Sequence, residues 1–458
     1  MRTTAIAACA AALAILAGGC GGAGAEGPGG ADGAATVVPA DASAFVAAST
    51  DLSSSEWHGL GTLVLKQLRI SADDLRALAD GEVDVALLPG KQSVAFVQPT
   101  DEAKLEAFAK QHDRVLRRFG DWTAVAADTA TLDTVAAAKA HLSDNTLFLD
   151  AMSHLPGDAL ARAYMNGEEA HALFASMPGQ LEAQQIPYGA KFRLKKDRPG
   201  SARTAFGVGT QEFRWLVAAV TSTSSGLKLE ALAASGGLVA SSPPRLVVRP
   251  IAPYVSGLVD EIPSGALAVA DAQLPGGAFG MLPKLPASLE RLFGSASLEL
   301  ANQLDTVLGG ETALYVRPAF PTPEITLVTR PADTAKALTT LDQLIAAAPK
   351  DSALSTLTLH HAIIGGQLVV STTQAGIDDF RSGGAKLSAD PSFLEAKKQS
   401  GMPDATTGFV YVNAKAALPL LALAGVKVPA DTPDLSTFAA FGAEQQDGST
   451  FTAFLGVR

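Results

Sequence analysis

Three carboxylates alternate along Asp80, Glu82 and Asp84. On a β-strand that spacing puts all three on one face, where hard oxygen ligands could hold a cation such as calcium. Such an ion takes about six to eight oxygens, and the matching stretch of the second half keeps only Glu311, with Gly309 and Ala313 at the other two places. The plain alternative is a solvated start of a strand, and no metal or other cofactor is expected. Ser225 and Lys228 have the Ser-x-x-Lys spacing that lets a lysine take the serine proton across one helical turn. Here, however, Thr223-Ser224-Ser225-Gly226 reads as the tip of a hairpin, no Lys-Thr-Gly companion follows, and the one Ser-Asp-Asn, Ser143-Asp144-Asn145, stands upstream of the serine rather than after it. His360 and His361 are adjacent in an expected strand over 356–364, so their rings face opposite sides and cannot share a metal. Phosphate-loop, His-Glu-x-x-His and Gly-x-Ser-x-Gly signatures are all missing, and the one Gly-x-Gly-x-x-Gly spacing, Gly22 to Gly27, lies in a Gly/Ala-rich stretch with no strand before it. No residue is assigned a catalytic role.

The one dense basic stretch is Lys191, Arg193, Lys195, Lys196 and Arg198, with Arg203 close behind. On a strand Lys191, Arg193 and Lys195 share a face, opposite Phe192 and Leu194. A lysine-guarded edge strand accounts for this pattern. So does contact with anionic lipid headgroups or an acidic envelope polymer, worth about 1 kcal/mol per charge near a charged surface.

Cys20 carries the most specific chemistry. Arg2 precedes 13 apolar residues, Ala5 to Ala17, and the run closes on Gly18-Gly19-Cys20. That is the layout of a signal peptide, and as a helix the run rises only about 20 Å, too short to cross a bilayer. Leu16-Ala17-Gly18-Gly19-Cys20 resembles the bacterial lipobox, in which the cysteine thiol is diacylated and becomes the first mature residue. Ordinary secretion with cleavage after Ala23-Gly24-Ala25 is the competing route. Residues 1–19 are thus read as a lipoprotein-type signal and the Gly/Ala-rich residues 20–35 as a tether. The partner this implies is the membrane, through Cys20, at an extracytoplasmic location; a secreted form is the alternative.

The rest of the 458-residue chain has to position whatever these residues do. Its composition is 47% hydrophobic and 18% charged, with 6% aromatics, which describes a globular body built from small side chains. With 35 Lys and Arg against 46 Asp and Glu, the net charge of -11 argues against nucleic acid as a partner. The only cysteines are Cys9 and Cys20, so neither a disulfide framework nor a cysteine zinc site belongs to the body.

The body reads as a duplication. Val38-Pro39-Ala40 aligns with Ile262-Pro263-Ser264, Gly81-Glu82 with Gly310-Glu311, Leu142-Ser143 with Leu387-Ser388, and Tyr164 and Asn166 with Tyr411 and Asn413. The offsets drift only by loop-sized steps. Lobes over 36–247 and 248–458 follow, joined through the proline-rich residues 241–253. Hairpin signals with helices inserted at intervals predict an α+β fold: two homologous tandem lobes, each a mostly antiparallel sheet with helices packed on one face. A helix is expected after Ser53-Ser54-Ser55, carrying Trp57, Leu60, Val64 and Leu68 on one face. Asn166 and Asn413 are expected to cap the helices that follow them.

Val38-Pro39-Ala40-Asp41-Ala42-Ser43-Ala44 with Trp57 downstream, Ser382-Gly383-Gly384 leading to Leu387-Ser388-Ala389-Asp390-Pro391-Ser392-Phe393, and Gly408-Phe409-Val410-Tyr411-Val412 resemble the uncharacterised bacterial domain-of-unknown-function family 3352. The likeness covers nearly all of the mature chain. It implies an envelope protein of a high-GC Gram-positive bacterium, with no established active site. The expectation is a non-catalytic cell-envelope lipoprotein that binds or organises a lipidic or apolar ligand, or a protein partner, at the outer face of the cytoplasmic membrane. The alternative is a secreted or anchored hydrolase with a site that matches no motif.

Overall fold

The computed structural model describes residues 33–68, 70–79, 81–170, 213–235, 252–277, 298–320, 323–347, 358–423, 426, 432–445 and 448–457. The first half runs β1 (Ala44–Ser49), α1 (Leu60–Leu68), α2 (Ala72–Leu78), β2 (Glu82–Leu88), β3 (Gln92–Val97), α3 (Glu102–Gln111), β4 (Val115–Phe119), β5 (Trp122–Ala126), α4 (Thr129–Ala137), α5 (Thr146–Met152), β6 (Ala161–Asn166), β7 (Phe213–Thr223) and β8 (Gly226–Ser235). The second half runs β9 (Tyr254–Val255), β10 (Ala268–Leu274), α6 (Leu298–Leu308), β11 (Gly310–Arg317), β12 (Glu324–Arg330), α7 (Thr334–Ala347), β13 (His360–Ile364), β14 (Gln367–Ser371), α8 (Gln374–Arg381), α9 (Pro391–Ser400), β15 (Ala405–Thr406), β16 (Gly408–Val412), α10 (Ala414–Leu423), β17 (Leu435–Gln445) and β18 (Gly448–Val457).

Among the described residues these strands form one 16-stranded sheet, with β9 and β15 paired apart from it. The class is α+β, and every strand pairing is antiparallel. From its outer edge inward the first half reads β4-β5-β3-β2-β1-β6-β7-β8, and the second β13-β14-β12-β11-β10-β16-β17-β18. The same order of elements thus occurs twice, and the two orders meet where β8 pairs with β18. Ala233 faces Ser449 and Leu227 faces Leu455 across this seam. Subtracting 222 from 449 gives 227, and adding 222 to 233 gives 455, so each pair maps onto the other. Glu230 opposite Thr452 maps onto itself, which puts a local dyad through that pair.

Glycine makes the seam possible. A Cβ on Gly226 would collide with the Leu455 carbonyl, and one on Gly448 with the Ala233 carbonyl. Each hairpin strand therefore begins with the one residue that lets the opposite backbone come close.

Alternation along the strands separates two faces. On one, Phe45, Leu88, Phe96, Trp122 and Tyr164 pack with Leu132 of α4 and Phe148 of α5. Val269, Tyr315, Val328 and Tyr411 pack likewise with Phe380 of α8 and Phe393 of α9. On the other face, Val97 and Val125 meet Leu78 of α2 and Leu105 of α3, while Leu368 and Val370 meet Leu304 of α6 and Leu344 of α7. Helices cover both faces rather than one, a correction to the expectation from sequence. Strands buried on both sides lose the clean apolar/polar alternation of a one-faced sheet.

Two local expectations also change. The helix carrying Trp57 is broken: Ser55–Trp57 is a 3-10 turn, His58 takes φ 44, and α1 starts only at Leu60. The fold begins before residue 36, because Ala34 and Ala35 are fully buried in a 3-10 turn over Ala34–Thr36. Both expected caps are in place, with the Glu169 amide donating to Asn166 Oδ1 at 2.9 Å and the Ala416 amide to Asn413 Oδ1 at 3.1 Å. Tyr164 and Tyr411 pack edge-on against Phe148 and Phe393, at 5.2 and 5.3 Å between ring centroids.

Candidate functional site

Two of the buried acids, Asp84 and Asp271, lie at corresponding places in the two halves. β1 and β2 pair Ala47 with Asp84, and β10 and β11 pair Asp271 with Ala313. Ala47 and Asp271 differ by 224, and Asp84 and Ala313 by 229, the offsets of the surrounding repeats. Each half thus buries one aspartate at the same cross-strand position, on opposite strands of the pair, with alanine making room beside it. Asp84 is wholly buried and Asp271 is 3% exposed.

Both acids hold the chain leading into the first strand of their half. Asp84 Oδ2 accepts the Ala34 amide at 3.0 Å. In the second half the amide one offset later, Leu258, donates to Glu311 Oε1 at 2.9 Å. Ser256 Oγ lies 2.9 Å from the same oxygen and 3.1 Å from Asp271 Oδ2, and the Tyr254 hydroxyl donates to Asp271 Oδ1. Arg330 pairs with Glu311 across the β11–β12 ladder. Its guanidinium lies against Gly257, where any Cβ would meet Nη1.

Electrostatics follow from this packing. Burial raises the Asp84 carboxyl well above its ordinary value, and the neighbouring Glu82 carboxylate raises it further against the pull of the Ala34 amide. A protonated Asp84 can donate to Glu82, which accounts for an Oδ1 that finds no donor. Asp271 is pushed up to about 6, chiefly by burial and then by the Glu311 charge, while the Tyr254 and Ser256 hydroxyls and Arg330 oppose the shift. Tyr254 is held strongly in its phenol form by burial and by the Asp271 charge. Arg162, mostly buried on β6 beside Ala47, is pulled down by burial and drawn back up by Glu82 and Asp158. Its guanidinium donates to the Gly157 carbonyl.

Of the residues singled out in the sequence, Glu82 and Asp84 do share a face, but Asp84 is buried rather than solvated. Asp80 lies outside the described residues, as do Cys20, Lys191, Arg193, Lys195, Lys196 and Arg198. Among the described residues no group of three or more His, Cys, Asp or Glu is arranged to hold a metal ion. Ser225 and Lys228 lie at the β7–β8 hairpin tip, and Lys228 pairs with Glu230 at 2.7 Å. His361 reaches Asp342 at 3.2 Å on the surface.

Sequence reading missed Tyr254, Ser256, Asp271 and Arg330. One signal was available: the repeat alignment sets Asp271 against Ala47 and Ala313 against Asp84, a compensating exchange of acid and alanine. No protein-family model, characterised protein or solved structure matches the chain.

Proposed function

We propose that the chain is a non-catalytic cell-envelope lipoprotein, a duplicated two-lobe body tethered through diacylated Cys20 at the outer face of the cytoplasmic membrane. In this reading it binds or organises a lipidic or apolar ligand, or a protein partner, in keeping with its resemblance to family 3352. The observation that carries the non-catalytic part is where the perturbed acids lie. An active site gathers such groups around one reacting position. Asp84 and Asp271 instead occupy corresponding places in two different half-sheets, each engaged with the segment entering its own half, and the other buried, raised acid, Glu324, sits apart on β12 beside Arg317. Their raised pKa values thus have a structural cause in both halves. The duplication draws support from the repeated strand order and from two isolated bridges, Pro39 with His141 and Pro263 with Lys386.

Fractionation of cells expressing the native chain and Cys20→Ala tests the anchor. The native protein should sediment with membranes and be released by detergent, whereas Cys20→Ala should shift to the soluble envelope fraction. Equal partitioning of the two would overturn the reading. Lipid extraction of the natively purified protein then separates ligand carriage from partner binding.

A further inference from the structure

The second half ends its β16–β17 connection in an unusual helix. α10 is rooted by buried Ala414 and by the Asn413 cap, and it packs against β17. Beyond that root every residue from Pro419 to Leu423 is exposed, with Leu420 at 38%, Leu421 at 45% and Leu423 at 85%. Val426, whose amide closes back on the Leu421 carbonyl at 2.9 Å, is 51% exposed. From Ala416 to Val426 the sequence has no charged or polar side chain, and Lys415 and Lys427 bracket the run. A helix that is apolar on all sides normally lies inside something, and contiguous exposed leucines mark an interaction site.

We propose that the tip of α10 inserts into the interfacial layer of a lipid bilayer, as a second membrane contact independent of the acyl group. Three observations favour lipid as the occupant. The five exposed residues rise about 7.5 Å as a helix, which matches the ~5–10 Å depth of interfacial burial. Lys415, exposed at the foot of the helix, and Lys427, which closes the apolar run in the sequence, supply local positive charge for anionic headgroups against the net charge of -11 of the whole chain. Finally, only the 13 residues from Cys20 to 32 precede Gly33. Even fully extended they reach about 45 Å, so an acylated Cys20 keeps the body within reach of the bilayer. Only this last point rests on the lipoprotein reading.

The test uses the full mature chain with Cys20→Ser, which removes the acyl group and the sole mature thiol. Co-sedimentation with vesicles of equal parts phosphatidylcholine and phosphatidylglycerol should show binding, and Leu421→Asp with Leu423→Asp should weaken it about tenfold or more. Both positions are exposed, so melting curves should coincide. An environment-sensitive dye on Leu423→Cys should shift to the blue on adding vesicles. Absence of vesicle binding, binding indifferent to the aspartates, or a dimer that the aspartates dissociate while vesicles go unbound would each overturn the proposal. None of these outcomes bears on whether Cys20 is acylated, which mass spectrometry reads separately.

Discussion

Asp271 makes the buried lock of the second half sensitive to pH, in a direction opposite to that of ordinary salt-bridged acids. Its carboxyl is pushed from the usual 3.8 up to about 6, mainly by burial. The native chain therefore binds this proton more tightly than the unfolded chain does. Asp271 costs nothing in stability below the unfolded value, and its cost grows as pH rises, reaching its full extent above about 6. Over that span of roughly 2.2 units, at 1.36 kcal/mol each, the cost is about 3 kcal/mol. About 2 kcal/mol of it falls between roughly pH 4.5 and pH 7.5. Asp271→Asn keeps the shape and an acceptor for Tyr254 but cannot titrate. Urea titrations followed by far-ultraviolet circular dichroism, run on both proteins across this range, isolate the contribution by difference. The advantage of the wild type over the variant should grow by about 2 kcal/mol as pH falls from 7.5 to 4.5. A difference flat to within about 0.5 kcal/mol would refute the assignment of a raised pKa to a buried, singly titrating Asp271.

Other expectations are simpler to state. Gly257→Ala displaces the flexible end of Arg330 from its place beside Glu311 and should cost no more than about 1 kcal/mol in chemical denaturation, with the loss reduced when Arg330 is also replaced by Ala. Gly448→Ala collides with the Ala233 carbonyl at the seam and should destabilise by about 1–3 kcal/mol; the same melting temperature as wild type would mean the β8–β18 pairing is not made in solution. Asn166→Ala and Asn413→Ala each remove a helix cap and should cost about 1 kcal/mol, measured by the shift in urea midpoint.

What the sequence disclosed depended on how local the cause was. The caps at Asn166 and Asn413 and the hairpin around Thr223-Ser224-Ser225-Gly226 are set by neighbours a few residues away, and they are read correctly. α2, at Ala72–Leu78, and β4, at Val115–Phe119, were passed over. The first is only two turns long with charges in its first turn, and the second carries Arg117 and Arg118 where alternation would be sought. The break comes where His58 and Gly59 take φ 44 and 80, a local backbone reversal that the spacing of Trp57, Leu60, Val64 and Leu68 does not record. The β8–β18 seam was invisible because a central strand and an edge strand carry the same apolar pattern when helices lie on both faces. Asp271 is legible as a buried acid only through the repeat alignment, because its partners, Tyr254 and Glu311, lie 17 and 40 residues away.

The claim that the chain is an envelope lipoprotein is tested most directly at its mature N-terminus. Glu26 offers a cleavage site that releases Cys20–Glu26 as a seven-residue peptide. Mass spectrometry of that peptide from the membrane fraction should find Cys20 as its first residue, carrying a diacylglyceryl thioether. A mature chain starting near Glu26, unmodified and recovered in the soluble fraction, would contradict the account.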